Sequence, residues 1–146
     1  MFEPAQAMGG LMTSDLINSE NISKERLKEL YDAAFMHTSF DDDGDLMVND
    51  GGYFCFAFPA EGTVRLMAIF RTNPSLKPQR LLEFANRINQ EFIMVRATIA
   101  SNSAVVIDYY LLLEGGMTPR SIVSATKRLL QVTTQAISEH GDGIIG

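Results

Sequence analysis

Val95-Arg96-Ala97-Thr98-Ile99-Ala100-Ser101-Asn102-Ser103-Ala104-Val105-Val106-Ile107-Asp108-Tyr109-Tyr110-Leu111-Leu112-Leu113 is the stretch that decides the fold. Val95, Ala97 and Ile99 alternate with Arg96, Thr98 and Ala100, the period-two signature of a strand with one buried face. Asn102-Ser103 supplies a turn. The return strand, Ala104–Leu113, is apolar on both faces: Val105, Ile107, Tyr109, Leu111 and Leu113 against Val106, Tyr110 and Leu112, broken only by Asp108. Gly115-Gly116 ends it. Thr118 and Pro119 then form a helix start, a hydroxyl cap followed by a residue whose missing N–H costs nothing in a first turn.

The pattern extends in both directions. Ile122, Val123, Leu129, Leu130, Ala136 and Ile137 predict a helix over 119–139. On the other side, Leu81, Ala85, Ile88 and Phe92 mark a core-facing helical stripe that begins near Pro78. Further upstream, 53–58 and 63–71 read as strands joined by Pro59-Ala60-Glu61-Gly62. Short extended segments at 36–40 and 46–49 flank Asp41-Asp42-Asp43-Gly44-Asp45. Leu27, Leu30, Tyr31 and Ala34 predict a first helix over 23–34, capped by Asn21 or Ser23. The expected fold is α+β in two layers, of order α-β-β-β-α-β-β-α, with a mostly antiparallel five-stranded sheet. Residues 1–22 are expected as a tail or crossing strand, 23–139 as one domain, and 140–146 as a frayed tail.

Composition narrows the function. The 146 residues are 46% hydrophobic and 21% charged, enough to bury a core without staples. The single cysteine, Cys55, excludes an intrachain disulfide and a cysteine zinc cluster. Charge is uneven: residues 1–50 hold eleven acids and three bases, net −8, against seven acids and nine bases, net +2, in 51–146. A net −6 chain repels phosphate backbones, so no nucleic-acid partner is expected. No apolar run approaches the length of a membrane span, and Met1-Phe2-Glu3-Pro4 does not open a signal peptide. No membrane association is expected, and the cytoplasm is the expected compartment.

Each candidate for chemistry has a simpler explanation. An EF-hand register on Gly44 puts Asp50 where a bidentate glutamate belongs, and no helix enters the loop, so the aspartates read as a turn. Cys55 lies among Phe54, Phe56 and Phe58, surroundings that suit a buried thiol rather than a thiolate. His37 and His140 lack metal-pair spacing and read as solvated. Neither a Gly-x-Ser-x-Gly elbow nor a Gly-x-x-x-x-Gly-Lys loop occurs. Gly115-Gly116 lacks dinucleotide-loop spacing. Catalytic residues, metal and cofactor are all expected to be absent, and the chain is expected not to be an enzyme. Asn86 and Asn89, three apart on the middle helix, are either a polar brace or a ligand contact.

Asn86-Arg87-Ile88-Asn89, Arg96-Ala97-Thr98-Ile99 and Tyr110-Leu111-Leu112-Leu113-Glu114-Gly115-Gly116-Met117-Thr118 resemble the YbjN-type family of bacterial sensory transduction regulators, as does the turn Asp43-Gly44-Asp45-Leu46. The resemblance runs from about Ser23 to Glu139 and leaves residues 1–22 unmatched. It implies a fold similar to type III secretion chaperones, and a cytoplasmic, non-enzymatic, dimeric module. A strand apolar on both faces leaves apolar surface that one helix layer cannot cover, and such patches mark interfaces. Phe54, Phe56, Tyr109 and Tyr110 are therefore expected on a partner or homodimer surface. The alternatives are a secretion chaperone proper that holds an extended client, and a small-ligand sensor or enzyme with a cleft near the middle helix.

Overall fold

The computed structural model describes residues 16–146. Helix α1 (Lys24–Ala33) is followed by β1 (His37–Phe40), β2 (Leu46–Asn49), β3 (Phe54–Ala60) and β4 (Thr63–Phe70). Then come α2 (Pro78–Glu91), β5 (Arg96–Ile99), β6 (Val105–Leu112) and α3 (Pro119–His140). The sheet is antiparallel throughout, in the order β1-β2-β3-β4-β6-β5. It has six strands rather than five, because the segments flanking the aspartate turn pair with each other and, through β2, with β3.

Helix starts follow local chemistry. The Ser23 hydroxyl accepts the Arg26 N–H at 3.0 Å and the Thr118 hydroxyl accepts that of Ser121 at 3.0 Å, with Pro119 opening α3. Pro78 opens α2 without a side-chain cap. In the aspartate turn, Asp41 Oδ1 accepts the N–H groups of Asp43 and Asp45, and Gly44 adopts a φ of 81°. Backbone geometry thus accounts for the acids as a turn.

One face of the sheet carries the core. Leu46 and Val48, Cys55 and Ala57, Val64 and Leu66, Ile107 and Leu111 are all buried against the helices. Leu27 and Tyr31 of α1, Leu81, Phe84, Ala85 and Ile88 of α2, and Ile122, Leu129, Val132 and Ala136 of α3 complete it. Each large side chain buried here is worth about 1.5–3 kcal/mol. The Tyr31 hydroxyl lies 2.7 Å from Thr126 Oγ1, which itself donates to the Ile122 carbonyl at 2.8 Å. A threonine hydroxyl has one proton, so Tyr31 is the donor. Burial raises the Tyr31 pKa and pushes the Cys55 thiol up to about 12.

Of the two chain ends, the C-terminal one departs from expectation. Residues 1–15 lie outside the described residues, so the tail-or-strand expectation meets the structure only over 16–22. There, Ile17 is fully buried and exchanges two backbone hydrogen bonds, 2.7 and 2.8 Å, with Met117. The last residues do not fray. Ile144 is buried, its carbonyl accepts the Asn73 N–H at 2.8 Å, and Ile145 bridges Thr72. Two isoleucines between glycines are too few to show a period, but they suffice to seal the core edge.

Candidate functional site

The other face of the sheet is open: among the described residues no helix covers it. Strand alternation places Met47, Phe54, Phe56, Phe58, Arg65, Met67, Ile69, Arg96, Val106, Asp108, Tyr110 and Leu112 there, opposite the buried set. Leu112 is 71% exposed, Tyr110 45%, Ile69 41% and Phe54 40%. Phe54, Phe56 and Phe58 form an aromatic stripe along β3, with ring centroids 5.6 Å (edge-on) and 5.3 Å (stacked) apart. Rows run across strands: Met47, Phe56, Met67, Asp108 and Arg96 face one another in register, as do Phe58, Arg65 and Tyr110.

At the β6–β5 end this face carries charge. Asp108 is 1% exposed and receives four hydrogen bonds. Arg96 donates from Nε to Oδ1 at 3.0 Å and from Nη2 to Oδ2 at 2.8 Å, while Arg65 donates to Oδ2 from Nε at 2.9 Å and Nη2 at 2.6 Å. The Tyr110 ring lies 5.6 Å from the Arg65 guanidinium carbon and 5.9 Å from that of Arg96. Burial opposes ionisation of Asp108, but the bonds from Arg96 and Arg65, with their charges, outweigh it and hold the carboxyl below the ordinary carboxylate range. Two arginines against one aspartate leave the cluster with net charge +1.

The four aromatics expected on a partner surface do not share one face. Phe54, Phe56 and Tyr110 are on the open face. Tyr109 points to the helix side, beside the core and a cleft it lines with Met117 and Arg120. A strand apolar on both sides gives no polar side from which to assign faces, which is why neighbours in sequence separated here. The asparagines separate as well. Asn89 accepts the Ala97 N–H at 2.7 Å and donates to the Ala97 carbonyl at 3.0 Å. Asn86 is exposed and lines a cleft of about 370 Å³ with Arg80, Glu83, Arg87 and His140. His140 is not simply solvated: its Nε2 lies 2.6 Å from Glu91 Oε2, tying the ends of α2 and α3 together. The Asp108 cluster was missed in the sequence. Its signal was present, an acid interrupting an apolar strand opposite Arg96 in the hairpin register.

The sheet edges differ in availability. The Ala100 N–H bonds to the Ala104 carbonyl, so antiparallel alternation turns the N–H and C=O of Ala97 away from β6, to the free edge. Asn89 occupies both. At the opposite edge, the Asp41 N–H bonds to the Asp45 carbonyl, which turns the backbone groups of Thr38 and Phe40 outward from β1.

Among the described residues, a helix layer thus covers one face of an antiparallel sheet and leaves the other face apolar and open. Residues 23–141 match the family model YbjN, "Putative bacterial sensory transduction regulator", and the chain belongs to that family. In structure it is similar to YbjN from E. coli, a putative transcription regulator, with 16% identity, TM-score 0.72, and coverage of 86% of this chain and 96% of that one. An uncharacterised protein from Methanothermobacter thermautotrophicus superposes at 13% identity and TM-score 0.56, over 81% and 96% of the two chains. The HopA1-SchA chaperone–effector complex contributes a chain at 15% identity and TM-score 0.50, over 85% of this chain and 91% of that one. The expected chaperone-like α+β fold is thus established. No curated protein matches the chain. Among the described residues no helix is long and apolar enough to cross a membrane.

Proposed function

We propose that the chain is a non-enzymatic regulatory module of the cytoplasm that binds a partner protein on the open face of its sheet. The carrying observation is that face itself. Phe54, Phe56, Met67, Ile69, Tyr110 and Leu112 stand on it without a covering layer among the described residues. Leaving such side chains in water forgoes about 1.5–3 kcal/mol each, a cost that a partner relieves. A chaperone–effector complex among the structural neighbours supports the same reading at the level of fold. The test is affinity purification from the native host with the wild-type chain and Phe56→Ser in parallel. A partner held by the first and released by the second supports the reading, and equal retention refutes it.

A second copy is the other protein occupant, and the aromatic stripe favours it to the extent that like packs on like. Solution mass at micromolar concentration decides: a dimer that Phe56→Ser converts to monomer assigns the face to self-association. Client holding by strand addition, as a secretion chaperone proper, has its route at β1, because Asn89 obstructs β5.

A further inference from the structure

The reading of the open face as a protein-binding surface leaves one feature of it unused: the face carries more positive charge than its own chemistry needs. One arginine neutralises Asp108, yet two converge on it. Each spends Nε and Nη2 on the carboxylate, which among the described residues leaves Nη1 of Arg65 without a hydrogen-bond partner and that of Arg96 with only the Tyr110 side chain beside it. Asp108 fixes the two forks and Tyr110 flanks both, so the free donors are held in place before anything binds.

The surroundings make this excess consequential. Across the sheet Asp108 faces Met67, and beyond it in the same row Phe56. A partner that covered this face with apolar groups alone would bury an unpaired positive charge, a cost that outweighs much of the apolar gain. An isologous second copy docked over the cluster brings two such excesses together. A nucleic acid would match one excess charge but meets a chain of net −6.

We infer that the open face takes a partner segment in which an aspartate or glutamate side chain sits among apolar residues, and that Arg65 and Arg96 together receive its carboxylate while the β3 aromatics receive its apolar neighbours. The arrangement supplies both attraction and discrimination, since a segment lacking the acid leaves the cluster uncompensated. Arg65 and Arg96 are the specificity residues and Asp108 positions them.

Selection of short random peptides, amidated at the C-terminus to remove the terminal carboxylate, on the intact chain tests this. The selected peptides are expected to join Asp or Glu to apolar residues. Replacing that acid by its amide should weaken binding about tenfold, the scale of one charge-assisted pair. On Arg96→Gln the acid and amide peptides should bind alike, and on Arg96→Lys the difference should shrink without vanishing, because the charge remains and the fork does not. The peptide swap needs no variant and holds even if Arg96→Gln folds poorly. Peptides that bind through Phe56 but show no preference for acid overturn this inference and leave the open-face reading standing. No selected peptide, or binding indifferent to Phe56→Ser, overturns the open-face reading itself. Displacement of selected peptides by poly(U), or a dimer that excludes them, assigns the face to nucleic acid or to a second copy and overturns the inference.

Discussion

Replacing Asn89 by alanine tests how the sheet edge is closed. The side chain makes two hydrogen bonds to Ala97, at 2.7 and 3.0 Å, and these are the groups that β5 turns away from β6. Each such bond contributes about 0.5–1.5 kcal/mol net, so the pair contributes about 1–3 kcal/mol. Alanine returns about 0.5 kcal/mol through its better helix propensity. The edge groups are also accessible to water once the amide is gone, which limits the loss. The expected net destabilisation is about 0.5–2 kcal/mol, or a fall in Tm of about 2–8 °C for a domain of this size. Thermal unfolding gives the first number, and hydrogen exchange at the Ala97 amide gives the local one. That amide should lose its protection while buried β6 amides keep theirs. An unchanged Tm together with a still-protected Ala97 amide would refute the edge-brace reasoning.

Other consequences are testable on the same footing. Because folded Asp108 holds its carboxyl below the ordinary value near 3.9, the unfolded chain takes up that proton first as the pH falls. The stability it contributes is therefore full above the unfolded value and lost as pH drops through the folded one. Urea midpoints from pH 7 down to about pH 2 should show Asp108→Asn less stable at neutrality and converging with wild type in acid; parallel curves would contradict this. Ile144→Ala should cost about 2–4 kcal/mol in chemical denaturation, as expected of a buried isoleucine in a docked tail, whereas a cost near zero would mean the tail is not anchored. Cys55, buried with its thiol pushed up to about 12, should resist a thiol reagent at pH 8 in the native chain and react once urea unfolds it.

How much of the molecule was legible in the sequence depends on what each residue's period could encode. Alternation in 63–70 separated Val64, Leu66 and Ala68 from Arg65, Met67 and Ile69, and those faces are the ones observed. The helix stripes and the Thr118-Pro119 start were equally plain, since a cap and a periodic face are local properties. The return strand was not so readable. With apolar residues on both sides, only pairing could show that Tyr109 joins the helix layer while Tyr110 stands on the open face. Asn86 and Asn89 differ for a similar reason, since α2 turns one toward β5 and the other toward the C-terminal tail. The Asp108 cluster needed three strands, β4, β6 and β5, to be placed side by side. The hairpin register sets Arg96 opposite Asp108, 12 residues away, but Arg65 lies 43 residues from Asp108, beyond any local pattern.

If the open face of the sheet is the working surface of this YbjN-family chain, a partner must depend on it. The most direct test is capture from the native host with wild type, Phe56→Ser and the helix-side control Tyr109→Phe, all first shown to unfold at comparable temperatures. The expected result is one protein partner retained by wild type and by Tyr109→Phe and lost on Phe56→Ser. Retention of the same partner by all three would contradict it.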